Sequence, residues 1–346
     1  MNHPIIKWLA LMGLAFFILS CSEPTPKAQL VALQGKTMGT YYQVTMNLSE
    51  SQKNNAAYSP STLQNEINKK LELVNDQMST YRPDSELSTF NKSAHSLKVS
   101  AETALVIKSS LQLFELSAGA FDVTVGPLVN LWGFGPDKKP NKIPSDEVID
   151  TNKKLVGSQY LSVSDNTLYK AIPDLYVDLS AIAKGYAVDV IAEYLQSLGI
   201  NDYLVDIGGE LRGKGIKPGN KQWTIAIERP SNGQHVQQLI QIGDNAIATS
   251  GDYRNYFEFD GIRYSHTIDP KTGKPISHKL VSVTVIHQSS MLADGLATAI
   301  TVLGPEAGFA FAQKNKLAVF LIVKQGDGFI EHFTPEFQPY LLEENE

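Results

Sequence analysis

Gly213-Lys214-Gly215-Ile216-Lys217-Pro218-Gly219-Asn220-Lys221-Gln222-Trp223-Thr224-Ile225-Ala226-Ile227-Glu228 is the stretch on which the fold class turns. Its centre, Lys217-Pro218-Gly219-Asn220, is turn chemistry: proline presets φ, while glycine and asparagine tolerate positive φ. Residues 213–228 are therefore expected to form a hairpin. Just upstream, residues 202–207 read as a strand that enters Gly208-Gly209, and a bulge or tight turn is expected there. Downstream, short strands are expected near 239–242, 246–249, 256–259 and 281–286, with a fully apolar strand at 317–323. Helical faces recur at 63–78 (Leu63, Ile67, Leu71, Val74) and 101–117 (Leu105, Leu111, Leu113, Leu116). A third helix, 182–198, stops at Gly199, and two more follow at 290–303 and 306–314. Residues 41–48 alternate like a strand, and 175–178 read as a short one. Helices dominate the first half and hairpin-linked strands the second. That pattern is α+β, a mainly antiparallel or mixed sheet with packed helices in a single domain, and not a doubly wound sheet.

The first twenty residues read as an export signal. Lys7 precedes an apolar run from Trp8 to Leu19, too short to span a bilayer comfortably, and Ser20-Cys21 follows. Ile18-Leu19-Ser20-Cys21 resembles a bacterial lipoprotein box, in which Cys21 carries the lipid. Cys21 is the single cysteine of the 346-residue chain. A mature chain without another thiol excludes cysteine nucleophiles, iron–sulfur clusters, zinc–thiolate sites and intrachain disulfides. Residues 22–34, with Pro24 and Pro26 and no periodicity, read as a flexible tether, and 35–346 as the folded domain. Residues 137–145 read as a polar loop inside that domain. A net charge of −6 argues against a nucleic-acid partner.

The segments that could carry chemistry are dispersed. In Met291-Leu292-Ala293-Asp294-Gly295-Leu296-Ala297-Thr298-Ala299, a carboxylate and a hydroxyl four residues apart share one helix face, with small neighbours around them. Hard oxygen ligands in that setting suit Mg²⁺ completed by phosphate oxygens. Lys184 falls in the first turn of its helix, against the dipole, where a lysine can serve a phosphate, and the backbone N–H groups of that turn are further anion donors. Tyr81, beside Arg82, offers an aromatic plane on a loop. Gly39 precedes the first strand, and Phe121 and Asp122 follow a helix-ending glycine. His266 stands two residues from Ile268 as a candidate general base or a structural hydrogen-bonder. No P-loop, Gly-x-Gly-x-x-Gly run, serine-hydrolase elbow or His-x-x-x-His pair occurs.

In order, these segments resemble the ApbE family of FAD:protein FMN transferases, from Met38 to about Gly304. The matching pieces are Met38-Gly39-Thr40, Ser79-Thr80-Tyr81-Arg82, Gly119-Ala120-Phe121-Asp122, Asp178-Leu179-Ser180-Ala181-Ile182-Ala183-Lys184-Gly185, Asp206-Ile207-Gly208-Gly209-Glu210, His266-Thr267-Ile268-Asp269-Pro270 with Thr272-Gly273, and the run from Ala293 to Ala299. The resemblance implies FAD as substrate, Mg²⁺ as metal, FMN passed to a Thr or Ser hydroxyl of a partner protein, and AMP released. It implies Asp294 and Thr298 as side-chain metal ligands, with the carbonyls of Ala181 and Ala297 alongside. It implies FAD contacts from Met38, Tyr81, Ala120, Phe121, Asp122, Asp178, Lys184 and Ile268. His266, or alternatively Asp206, is the expected base. Gly295 stands where alanine is expected. Acceptors are expected among redox complexes of the bacterial inner membrane, such as sodium-translocating NADH:quinone reductase, with the enzyme lipid-anchored on the periplasmic side. Hydrolysis of FAD to FMN and AMP, or flavin binding without chemistry, are the alternative readings.

Overall fold

The computed structural model describes residues 30–136, 143–230, 236–251, 256–259 and 262–342. The export signal, Cys21, most of the tether and residues 137–142 of the polar loop lie outside them.

An eight-stranded antiparallel sheet organises the domain. Its strands are β1 (Val31–Thr37), β2 (Thr40–Met46), β3 (Tyr203–Ile207), β4 (Glu210–Lys214), β5 (Ala246–Gly251), β6 (Leu280–His287), β7 (Ala318–Gln325) and β8 (Gly328–Phe333). They lie side by side in chain order. The sheet is thus a meander, and the helices and smaller sheets are inserted between consecutive strands, with a short C-terminal segment after the last. β1 includes Val31–Gln34, which pair with Met46, Thr45, Val44 and Gln43. The folded domain therefore begins earlier than expected, because Leu33 is buried in the core and its neighbours gain ladder bonds.

The expected hairpin is displaced. β3 and β4 form a tight hairpin around Gly208 and Gly209, both at positive φ (62° and 102°), where glycine avoids the Cβ clash. The Lys217–Asn220 turn exists, closed by a Lys217–Lys221 bridge. The strand after it, Thr224–Glu228, pairs forward with Val236–Gln241 instead of back onto β4. Residues 175–178 belong to no strand; Asp178 N–H donates to the Val123 carbonyl at 2.7 Å.

Five longer helices are α1 (Pro60–Met78), α2 (Ala101–Leu116), α3 (Ala183–Ser197), α4 (Ser290–Leu303) and α5 (Pro305–Lys314). Ser59, Ser100 and Ser289 cap α1, α2 and α4 through their side chains. In α2 the buried face is Ala104, Val106, Ile107 and Leu113, whereas Leu105 and Leu116 are about half exposed (50% and 49%). Helix α4 packs on β5 and β6, α3 on β3 and β4, and the two helices on each other. The main core lies between these helices and the sheet. A second core, built on Ile227, Ile240, Ile247, Ile286, Phe320 and Phe337, joins the Thr224–Gln241 hairpin to the sheet.

Candidate active site

A groove of about 1060 Å³ opens where the β3–β4 turn, the start of α3 and the middle of α4 meet. Residues widely separated in the chain line it: Tyr81, Ala120, Phe121, Asp122, Asp178, Ala181, Lys184, Asp206, Glu210, His266, Ile268, Asp294 and Thr298 all face it. The structure thus gathers thirteen positions from segments that looked unrelated in sequence.

Two sequence-level candidates stand apart among the described residues. Met38 occupies the β1–β2 turn at φ 50°, and its side chain packs against the main core; Gly39 and Thr40 line the groove in its place. Ala297 is buried, and its carbonyl already accepts the Thr301 hydroxyl at 2.8 Å.

At the groove floor, α3 and α4 begin against each other. The Asp294 carboxylate is buried and accepts the Gly185 N–H at 3.0 Å. This replaces the missing cap of α3, whose preceding residue Ile182 offers no side-chain acceptor. In return, Asp189 of α3 accepts the Ser290 and Met291 N–H groups, each at 3.0 Å, and the Ser289 hydroxyl at 2.7 Å. Asp189 also takes Arg212 of β4 at 2.7 Å. Each helix therefore caps the other. Gly185 makes this possible: a Cβ there would stand 2.3 Å from the Ser290 carbonyl oxygen.

The expected anion-binding role of the α3 N–H groups is only partly available. Ala183 donates to Leu179 at 2.8 Å and Gly185 to Asp294. The cation is what faces the groove. The Lys184 ammonium bonds the Glu210 carboxylate at 2.6 Å. Burial acts against that ammonium, yet the Asp294 and Glu210 carboxylates hold its pKa above the ordinary lysine value. Burial, with Asp294 nearby, raises Glu210 to about 8 against the pull of Lys184. Burial also raises Asp294, opposed by Lys184 and the Gly185 N–H.

Other residues divide between scaffold and surface. Asp122 accepts Thr124 N–H, Thr124 hydroxyl and Ser158 hydroxyl at 2.8, 2.7 and 2.7 Å, so its carboxylate is occupied in holding the loop. Asp178 accepts Ser180 N–H at 2.8 Å and shapes the approach to α3. Phe121 is core and groove wall at once. Tyr81 is 66% exposed at the groove, and burial of its hydroxyl together with Asp178 raises its pKa. Arg82, its neighbour, turns away to Glu72 and Asp76 of α1. Asp206 accepts Gly209 N–H at 2.9 Å, and burial raises its pKa. His266 meets Phe134 edge-on with centroids 6.4 Å apart. Gly295 is tight: the Leu113 side chain fills the space a Cβ would need, 2.4 Å away.

The model of the ApbE family matches residues 38–321. The chain belongs to the ApbE family. A curated ApbE-family relative from Vibrio cholerae serotype O1, an FAD:protein FMN transferase, is 52% identical over 97% of this chain and 99% of its own length. The solved flavin transferase ApbE from Vibrio cholerae superposes with a TM-score of 0.84 at 52% identity, covering 91% of this chain and all (100%) of that one. The apo flavinyl transferase ApbE from Pseudomonas stutzeri gives 0.82 at 42% identity, over 90% and 96% of the two chains. The ApbE-family chain described here is accordingly an enzyme of the flavin transferase class.

Sequence reasoning passed over two groups of this ApbE-family site. Glu210 lay in a quoted segment but received no role; its only signal was a carboxylate next to a tight turn. Asp189 sits in mid-helix, and its partners on α4 are about a hundred residues away, Ser289 at a separation of 100.

Proposed function

We propose that the chain transfers the FMN moiety of FAD to a Thr or Ser hydroxyl of a partner protein, with Mg²⁺ bound at Asp294. One observation carries this reading: Lys184, Asp294, Thr298 and Ala181 converge on one groove that also has Tyr81 at its wall. In the reaction, the acceptor oxygen forms a bond to the FMN-side phosphorus. The bond from that phosphorus to the AMP oxygen breaks, and the hydroxyl proton leaves to a base.

The residues fit a magnesium ion. Asp294 gives a carboxylate, Thr298 a hydroxyl and Ala181 a backbone carbonyl, all hard oxygens at the groove. Among the described residues no cluster of three or more His, Cys, Asp or Glu could hold a metal by itself. That suits an ion whose remaining ligands are phosphate oxygens and water. When bound, the metal neutralises charge on the phosphates. Lys184 adds a second positive charge to the diphosphate. Tyr81 stacks on the flavin, while Phe121 and Ile268 wall it. His266 takes the acceptor proton, with Asp206 as the other candidate base.

On this reading the enzyme is held by a lipidated Cys21 on the periplasmic face of the inner membrane. Its acceptors are subunits of redox complexes such as sodium-translocating NADH:quinone reductase. The residues before Val31 support the anchor through the leader pattern alone.

The decisive experiment mixes the soluble domain with FAD, Mg²⁺ and an acceptor domain and weighs the acceptor intact. A Mg²⁺-dependent gain of one FMN, with AMP in solution, is the expected result. Free FMN and AMP without a mass gain would make the protein a hydrolase. Full transfer in EDTA would remove the metal from the reading.

A further inference from the structure

We infer that Glu210 is a positioning residue that aims Lys184 at the diphosphate of the flavin donor; this rests on the donor site proposed above. Glu210 opens β4 immediately after the Gly208-Gly209 turn and is 3% exposed. One of its oxygens, Oε1, takes the Lys184 ammonium at 2.6 Å. The other, Oε2, is buried without a hydrogen-bond partner.

A buried carboxylate with an orphaned oxygen is a poor stabiliser, since desolvation outweighs a single ion pair. Such groups are retained where they serve a site. Here the service is to a lysine. A lysine ammonium is a point charge on a flexible stem, and fixing it on ligand binding costs side-chain entropy. Glu210 fixes it beforehand, over the floor made by Asp294 and the start of α3. It also offers Lys184 a carboxylate other than Asp294. Asp294 bonds Gly185 and lines the groove, but makes no ion pair with Lys184 within bonding distance among the described residues. Glu210 thereby leaves the Asp294 carboxylate, bonded to Gly185, without an ion pair to Lys184.

The test separates the two halves of FAD. Riboflavin carries the ring without phosphate, so Lys184 cannot contribute to its binding. Affinities for FAD and riboflavin are measured by flavin fluorescence in EDTA for wild type, Glu210→Ala, Glu210→Asp and Glu210→Gln. Glu210→Ala removes the hydrogen bond, and Glu210→Asp withdraws it by one methylene. Both should weaken FAD about tenfold or more, the scale of a hydrogen bond to a charged group, and leave riboflavin unchanged. Glu210→Gln retains an acceptor for the ammonium and should restore FAD affinity to within about threefold of wild type. Equal losses for FAD and riboflavin would mean that Glu210 merely supports the fold, and the inference fails. Unchanged FAD affinity in both Glu210→Ala and Glu210→Asp would also overturn it. Wild-type protein that binds FAD while Glu210→Gln weakens it as much as Glu210→Ala sinks only this inference. Wild-type protein that binds neither flavin sinks the donor-site reading and the inference together.

Discussion

The Asp294 carboxylate of α4 accepts the Gly185 N–H of α3 at 3.0 Å, so the residue expected to hold the metal also caps the helix that carries Lys184. The proposed metal ligand and the start of the Lys184 helix thus share one side chain. Asp294→Asn separates the two roles, since an amide oxygen can still accept from Gly185 while the charge is lost. Transfer should fall at least about 100-fold, in line with the several kcal/mol a bound metal supplies. The melting temperature should stay within a few degrees of wild type. An Asn variant with normal turnover would move the metal elsewhere.

Asp189 is predicted to matter more for stability than for chemistry. Among the described residues, removing it leaves Arg212 only Glu193, at 4.0 Å, and takes the acceptor from the Ser290 and Met291 N–H groups. Asp189→Ala should cost about 3 kcal/mol, the scale of a broken, partly buried ion pair plus a lost cap. Urea denaturation measures this directly, and a cost under about 1 kcal/mol would contradict the cross-capping account.

Two glycines should respond differently to the same change. At Gly185 an added Cβ meets the Ser290 carbonyl carbon and oxygen at 2.7 and 2.3 Å, which is backbone that cannot step aside. At Gly295 it meets the tip of Leu113 at 2.4 Å, which can rotate. Gly185→Ala should destabilise by about 1–3 kcal/mol through overpacking. Gly295→Ala should be nearly neutral, because the helix gains up to about 1 kcal/mol in propensity. Comparable thermal shifts in the two variants would refute the distinction.

Tyr81 is largely exposed, so its removal should leave the fold alone. Tyr81→Ala is expected to weaken FAD by roughly three- to tenfold, the range for an aromatic stacking contact. Binding measured by fluorescence quenching tests it; unchanged affinity would take Tyr81 out of the site.

The two carboxylates around Lys184, Glu210 and Asp294, should make metal-free stability depend on pH. Glu210 loses its proton near 4.5 in the unfolded chain and near about 8 in the folded one. Between these values the folded state binds the extra proton, so stability is highest below the lower value and is lost as pH rises toward the upper one. The melting temperature in EDTA should therefore decline from about pH 5 to pH 8, and Glu210→Gln should flatten the slope. A rise over that interval would contradict the burial of Glu210.

What the sequence made legible follows the reach of its signals. Helix α4 was read with both its ends, because Ser289 caps it, Gly304 stops it and its apolar stripe is continuous. The Lys217–Asn220 turn was also read correctly, but turn residues specify a reversal and not which strands flank it. Asp294 and Thr298 stood out as two oxygen ligands sharing one helix face, and Lys184 because a cation in the first turn opposes the helix dipole. Glu210 and Asp189 did not, since their importance comes from partners brought near only by folding. Ala297 and Met38 follow from the family pattern alone; the Ala297 carbonyl accepts the Thr301 hydroxyl, and the Met38 side chain packs against the main core.

Strand β1 has a direction that bears on the choice of acceptor. Its last residue, Thr37, leads into the turn beside the groove, while Val31 pairs with Met46 at the opposite end. Seven residues of strand separate the two by about 20 Å. On the proposed anchor at Cys21, the leash would enter at the end of the sheet remote from the groove, and the enzyme would work at arm's length from its point of attachment. Reach would then select among hydroxyls of equal chemistry. Lengthening or shortening the segment before Val31 should change which membrane partners are modified, while soluble acceptor domains are modified at an unaltered rate.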